Sequence, residues 1–310
     1  MKLNKPKFWD TKPSFAAYLL YPFTLMVILI IFLKKIFTKK FQFNIKVICI
    51  GNIYIGGTGK TPVSIYIANE LKALGKNPVI LRKFYKEHRD EHNLIRESFK
   101  NLILNVSRVA GILEAEKMNY DTVILDDGYQ DYKIKKDLNI LCFNQSQLIG
   151  NGFILPSGPL RESLNSLREA KIILINGQKD VKFENKILNI NNNLEIFYTS
   201  YKPLNIDQFK NKKLLAVAGI GNPKNFFQLL SKNGLIVEKT LIYPDHHEFT
   251  KTEILNIIEQ ADNNNNQIIM TKKDYFKIKD FKLDKIKYLK VSLEINEKAK
   301  LIRTISKLYD

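Results

Sequence analysis

The sequence predicts an α/β protein: a P-loop-containing parallel-sheet domain, a second and smaller α/β domain, and an N-terminal membrane-associated helix. Three observations carry this expectation. Short apolar runs recur at helix-length spacing, Gly56-Gly-Thr-Gly-Lys-Thr61 joins one such run to a helix-like segment, and the 19 residues from Phe15 to Leu33 carry no formal charge. Apolar runs separated by helical segments imply a parallel sheet covered on both faces.

The uncharged stretch comes first in the chain. At about 1.5 Å per residue it is long enough to cross a bilayer, although Pro22 interrupts it. Lys2, Lys5, Lys7 and Lys12 precede it, and Lys34, Lys35, Lys39 and Lys40 follow it. The denser second cluster adjoins the nucleotide-binding region, which agrees with a positive-inside arrangement. A helix lying in the interface is the alternative to a full span.

The run Ile45–Ile50 reads as a strand, and the loop after it has the composition of a phosphate cradle. Gly56, Gly57, Thr58 and Gly59 let backbone N–H groups turn inward on phosphate oxygens. Lys60 reaches the β- and γ-phosphates, and the Thr61 hydroxyl holds Mg²⁺. Pro62 suits the first turn of a helix, where its missing N–H costs nothing. A strict G-x-x-x-x-G-K-[ST] pattern asks for glycine at position 54, where Tyr54 stands.

Further strands are expected at 78–81, 101–106, 122–125, 139–143 and 171–175, with a helix over 108–118. Asp126 and Asp127 follow the third of these apolar runs, 122–125. Ligands of such sheets lie at the carboxyl ends of strands, so Asp126 and Asp127 are expected to hold Mg²⁺ opposite Thr61. Residues 41–194 are then the P-loop domain, 195–211 an extended linker and 212–310 the C-terminal α/β domain, behind a membrane-associated segment over 1–40. In the last part 214–218 reads as a strand, Gly219-Ile-Gly-Asn-Pro223 as a turn, 223–232 as a helix, and 235–241 and 267–270 as strands.

Lys and Arg outnumber Asp and Glu by 49 to 31, a net charge of +18 that points to anionic partners. Nucleic acid is not expected among them, because basic motifs with interleaved aromatics are missing and the Gly-Lys-Thr would go unexplained. Cys49 and Cys142 fall in apolar runs and read as buried thiols, without disulfide or metal spacing.

Several blocks in order complete the pattern: Gly51-Asn52, Gly56-Gly-Thr-Gly-Lys-Thr-Pro62, Asp126-Asp-Gly-Tyr-Gln130, Gly150-Asn-Gly152, Leu155-Pro-Ser-Gly-Pro-Leu-Arg-Glu162, Ala218-Gly-Ile-Gly-Asn-Pro223, Pro244-Asp-His-His247 and Thr271-Lys-Lys-Asp274. The ordered set resembles the tetraacyldisaccharide 4′-kinase family across essentially the whole chain. That resemblance implies two α/β domains with a short β linker. It implies transfer of the γ-phosphate of ATP, with Mg²⁺, to the 4′-hydroxyl of an acylated disaccharide lipid, a late step of lipid A biosynthesis. The location it implies is the cytoplasmic face of the inner membrane, against the phospholipid surface, with no obligate protein partner. By resemblance Glu162 joins Asp126 and Asp127 around the metal, Arg161 faces a phosphate, and Asp90 with His246 forms the base that deprotonates the acceptor hydroxyl. The family's Ser-Arg-Gly-Tyr is replaced here by Leu81-Arg-Lys-Phe-Tyr85, and the glycine before the base by Arg89.

A membrane-tethered P-loop GTPase is the rival enzyme. Thr271-Lys-Lys-Asp274 follows an apolar run and fits the [NT]-K-x-D pattern that reads guanine, but Tyr129 stands where a GTPase glutamine follows Asp-x-x-Gly.

Overall fold

A computed structural model of the chain describes residues 5–85, 89–245, 247–281 and 283–310. It divides into two compact units. The first holds the described residues up to 84, with 99–200 and 295–310; the second holds 85–98 and 201–294.

The first unit opens with α1 (Phe15–Leu19) and α2 (Tyr21–Phe37). The uncharged stretch expected as one membrane-associated helix is therefore broken in two. Pro22, second in α2, has no N–H to donate to the Tyr18 carbonyl, so the helix restarts after Leu20. The 17 residues of α2 rise only about 25 Å, short of the roughly 30 Å of a hydrocarbon core. Among the described residues no helix is long and apolar enough to cross a membrane.

The strands and helices that follow are β1 (Lys46–Gly51), α3 (Lys60–Ala73), β2 (Pro78–Lys83), then α4 (Arg89–Ser98) of the second unit. The first unit resumes with β3 (Leu102–Asn105), α5 (Arg108–Lys117), β4 (Thr122–Asp126), β5 (Leu138–Asn144), β6 (Ile172–Asn176), α6 (Val181–Leu188) and β7 (Glu195–Pro203). Next come β8 (Lys213–Ala218), α7 (Pro223–Lys232), β9 (Ile236–Ile242), α8 (Lys251–Asn263), β10 (Gln267–Thr271), α9 (Lys272–Ile278), β11 (Ile286–Leu289), β12 (Val291–Ile295) and α10 (Lys298–Ser306).

The larger sheet has the order β12-β7-β6-β5-β1-β4-β2-β3, and β1 lies in its interior with parallel neighbours β4 and β5. Val47, Ile48, Cys49 and Ile50 are buried to a man, as are Val123, Ile124 and Leu125. Strands covered on both faces read as continuous apolar runs rather than alternating ones, which is why these segments are recognisable in the sequence. The register sets Ile50 beside Asp126 on one side and Arg82 beside Asp126 on the other. The segment expected as an extended linker is strand β7 for its first part, parallel to β6 from Glu195 to Thr199. Residues 295–310, expected with the C-terminal domain, group with the first unit: Leu301 and Ile305 of α10 are buried, and Tyr309 Oη lies 2.7 Å from Thr122 Oγ1.

The second unit is built on a parallel sheet of order β11-β10-β8-β9. β8 alternates between two cores. Leu215 and Val217 meet Ile254 and Ile257 of α8, while Leu214, Ala216 and Ala218 meet Phe226 and Leu230 of α7. Segment 85–98 joins this unit by packing α4 against α9, with His92 and Ile95 buried.

Candidate phosphate-binding site

The loop from Gly51 to Lys60 leaves the carboxyl end of β1 and enters α3. Two glycines turn it: Gly56 has φ 111° and Gly59, the N-cap of α3, has φ 89°. Both values favour glycine, and both lie at the N-terminal approach to α3. Tyr54 needs no such freedom. It pairs with Leu160 in an antiparallel bridge, and its hydroxyl donates to Asp10 at 2.8 Å. The strict motif's first glycine is thus replaced by a residue that pins the loop to the 155–162 segment. Ile55 N donates to Pro159 O at 2.9 Å and Arg161 N to Ile53 O at 2.7 Å, closing the same seam. Inside the loop, Asn52 Nδ2 donates to Thr58 Oγ1 at 3.0 Å and to Gly56 O at 3.3 Å.

Thr61, Asp126, Asp127, Lys60 and Arg161 come together here. Thr61 Oγ1 donates to Asp126 Oδ2 at 3.0 Å and Ser64 Oγ to Asp126 Oδ1 at 3.0 Å. Asp126 is fully buried, and Arg82 at the end of β2 pairs with it directly. Asp127 has φ 59°, a left-handed conformation that Asp tolerates, and it faces the cations. Lys60 Nζ lies 3.6 Å from its Oδ1 and Arg161 Nη1 lies 3.1 Å from the same oxygen. Arg108 Nη2 donates to the Asp127 carbonyl at 2.6 Å. Gln130 accepts from Arg161 at 3.4 Å and donates to Asn52 O at 2.9 Å, so its amide is committed to the loop.

Burial drives the Lys60 ammonium below its usual range, and Asp127 only partly restores it. Burial likewise pushes the Asp127 carboxyl up, but Lys60, Arg161, Arg82 and Arg108 together outweigh it and hold it well below the ordinary 3.8. This is a cluster of excess positive charge around one partly exposed carboxylate, which suits a polyanion. The hydroxyl of Thr61 and the carboxylate of Asp126 are hard oxygen donors at hydrogen-bond distance, a pair suited to Mg²⁺, which completes its shell with water and substrate phosphate. Among the described residues no group of three or more His, Cys, Asp or Glu could hold a metal alone.

Glu162 lies in a neighbouring cluster. Its carboxylate is buried and pairs with Lys35 of α2 at 2.8 Å. Pro62 lies in the first turn of α3, as expected, two residues after its start at Lys60. Asp90 is in the first turn of α4, in the second unit; His246 lies outside the described residues. Arg82, Arg108, Ser64 and Lys35 were not expected in these roles. The one signal for Arg82 is its place at the end of an otherwise apolar buried strand.

The guanine-reading block is occupied by its own unit. Asp274 is fully buried, accepts from Gly219 N at 2.9 Å and Thr271 Oγ1 at 2.7 Å, and pairs with Lys277 at 2.8 Å. Those bonds use both carboxylate oxygens, so the block works as a helix cap and buried ion pair.

A sequence model described as tetraacyldisaccharide-1-P 4′-kinase matches residues 16–310. The chain is 42% identical to the tetraacyldisaccharide 4′-kinase of Pelagibacter ubique over 315 residues, covering 99% of each chain. It is 33% identical to the enzyme of that name from Rickettsia bellii over 332 residues, again covering 99% of each. Among solved structures, the "apo" form of LpxK from Aquifex aeolicus in complex with ATP superposes with a TM-score of 0.72 at 25% identity, covering 95% of this chain and 99% of that one.

Proposed function

This chain belongs to the tetraacyldisaccharide 4′-kinase family, and from that premise we propose how its residues move a phosphoryl group from ATP to the 4′-hydroxyl of a tetraacyldisaccharide 1-phosphate in lipid A biosynthesis. The observation that carries the reading is the convergence of Lys60, Thr61, Asp126, Asp127 and Arg161 at the carboxyl ends of β1 and β4. Phosphoryl transfer asks a protein mainly for positioning and charge neutralisation. The loop amides and the α3 N-terminus receive the phosphates, Lys60 and Arg161 exchange Asp127 for phosphate oxygens, and Thr61 with Asp126 would hold Mg²⁺. The metal, when bound, neutralises charge on the β- and γ-phosphate oxygens. Gly56, Gly57, Thr58 and Gly59 supply the cradle, and Asp127 restrains the two cations until a phosphate arrives. Glu162, which the resemblance puts at the metal, acts in this reading from its pairing with Lys35. Asp90, oriented by His246, takes the proton of the acceptor hydroxyl.

The N-terminal helices suit an acylated substrate at the cytoplasmic face of the inner membrane. Phe15, Phe23, Met26, Ile30 and Phe37 are all exposed, a concentration of apolar surface that marks a membrane or lipid contact. An open groove of about 250 Å³ runs between α2 and the 152–165 loop, lined by Tyr21, Thr24, Ile28, Phe153, Ile154 and Leu164. It offers acyl chains a surface beside the site. Thr24 fixes α2 there, donating to Ser157 Oγ at 2.8 Å.

The test is transfer of labelled γ-phosphate from ATP to a monophosphorylated acyl-disaccharide in detergent micelles. Wild-type protein labels the lipid, and Lys60→Ala lowers the rate by at least about 100-fold, the usual loss of a preorganised charge-stabilising donor. Labelling of lipid at an unchanged rate by the Lys60→Ala protein would remove the proposed role of the loop.

A further inference from the structure

The Thr271-Lys-Lys-Asp274 block contains two lysines whose work the kinase reading has not used. Both sit in the first turn of α9, where a helix N-terminus disfavours positive charge, so each needs a nearby anion to be stable there. Lys272 Nζ lies 3.5 Å from Glu97 at the far end of α4. Lys273 is more enclosed. Its Nζ lies 3.0 Å from Glu91 Oε1 and 3.2 Å from Asp245 Oδ1, and its side chain is only 17% exposed. One ammonium therefore joins the start of α4 to the segment that follows β9, all inside the second unit.

The positions of those two carboxylates in the chain give the bridge its meaning. Glu91 follows Asp90 directly, and Asp245 precedes His246 directly. We propose that Lys273 is a positioning residue for phosphoryl transfer: by drawing Glu91 and Asp245 onto one cation, it fixes the two segments that carry the base and its imidazole partner. The proposal rests on the assignment of Asp90 and His246 as that pair. Without the lysine, the one cation shared by Glu91 and Asp245 is lost, and with it that link between the two segments. A displacement of about 1 Å at a reacting group is enough to cost on the order of 100-fold in rate. A surface ion pair, by contrast, would contribute little to anything.

The experiment measures kcat, KM for ATP and melting temperature for Lys273→Met, Lys273→Arg, Glu91→Gln and Asp90→Ala in the micelle assay. Lys273→Met is expected to lower kcat by about 10- to 100-fold while KM for ATP stays within about twofold, because the phosphate site belongs to the first unit. Lys273→Arg keeps the charge and the two contacts and recovers most of the rate. Glu91→Gln removes one arm only, so it reports on the bridge even if Lys273→Met fails to fold. A wild-type kcat in folded Lys273→Met or in Glu91→Gln, beside an inactive Asp90→Ala, overturns the role of Lys273 and leaves the base intact. A wild-type kcat in Asp90→Ala overturns the base assignment itself, and the positioning role falls with it.

Discussion

Asp126 and Asp127 are neighbours in the chain with opposite situations. Asp126 is sealed between Thr61, Ser64 and Arg82, so its carboxylate is positioned before any ligand arrives. Asp127 stands partly exposed among Lys60, Arg161 and Arg108, and in the proposed reading it is the group that gives way to a phosphate. The depressed folded-state pKa of Asp127 has a measurable consequence. A carboxyl whose pKa is lowered on folding contributes stability that is complete above its unfolded value, here 3.8, and that is lost as pH falls below it. Urea unfolding of wild type and Asp127→Asn across pH 7 to 3 should therefore show a gap that narrows as pH drops below about 4. A gap independent of pH would mean that the charge of Asp127 has no part in folding. Asn also tolerates the left-handed backbone at this position, so the comparison isolates the charge.

At the scale of elements, α2 is an apolar helix held by few polar points. Thr24 and Lys35 tie it to the 154–162 segment, Val27 packs against the core and Tyr21 against Phe153, and most of its other apolar side chains are exposed. Phe23, Met26 and Ile30 share the face away from Thr24, by their i, i+3, i+7 spacing. Changing all three to Ser should weaken co-sedimentation with anionic phospholipid vesicles by about 100-fold or more, since each buried apolar side chain is worth about 1.5–3 kcal/mol. Transfer of phosphate to a short-chain soluble acceptor should change little; unaltered sedimentation of the triple variant would rule out this face as the membrane contact. The sequence makes this helix legible through its lack of charge. Its break is less so, because the effect of Pro22 depends on whether packing lets the helix restart. The same limit applies within the site. Lys60-Thr61 and Asp126-Asp127 are readable because local order alone, strand then loop or strand then acid, defines their surroundings. Arg82 and Arg108 are not, because an arginine after an apolar run is ordinary until the register sets it beside Asp126 or the turn brings Asp127 O to it. Tyr54 breaks the motif in the sequence and explains itself only through Leu160, more than a hundred positions away.

For the whole molecule, both cysteines lie on interior strands of the larger sheet, β1 and β5, and burial pushes Cys49 up to about 11 and Cys142 up to about 12. Native protein should therefore resist a thiol reagent at pH 8, and labelling should occur at the rate of opening of the sheet. Saturating Mg-ATP should slow labelling by a factor of up to one plus the ratio of the free Mg-ATP concentration to its Kd. Fast labelling of native protein, unchanged by nucleotide, would show that the sheet opens without passing through unfolding of the site. The fold class is legible at this scale because parallel strands covered on both faces announce themselves as apolar runs. The allocation of segments to units is not: 85–98 and 295–310 have nothing in their composition to say which neighbours they keep.

That allocation also has a consequence for how the protein is made. The chain leaves the first unit after residue 84, returns at 99, leaves again after 200 and returns at 295. Neither unit is a continuous stretch of polypeptide. On a ribosome the second unit cannot close until 201–294 has joined the helix synthesised long before it. The first unit must in turn wait for Leu301, Ile305 and Tyr309, translated after all of 201–294. Vectorial synthesis thus finishes the two units nearly together, and no single cut in the gene separates a complete nucleotide-binding half from the remainder.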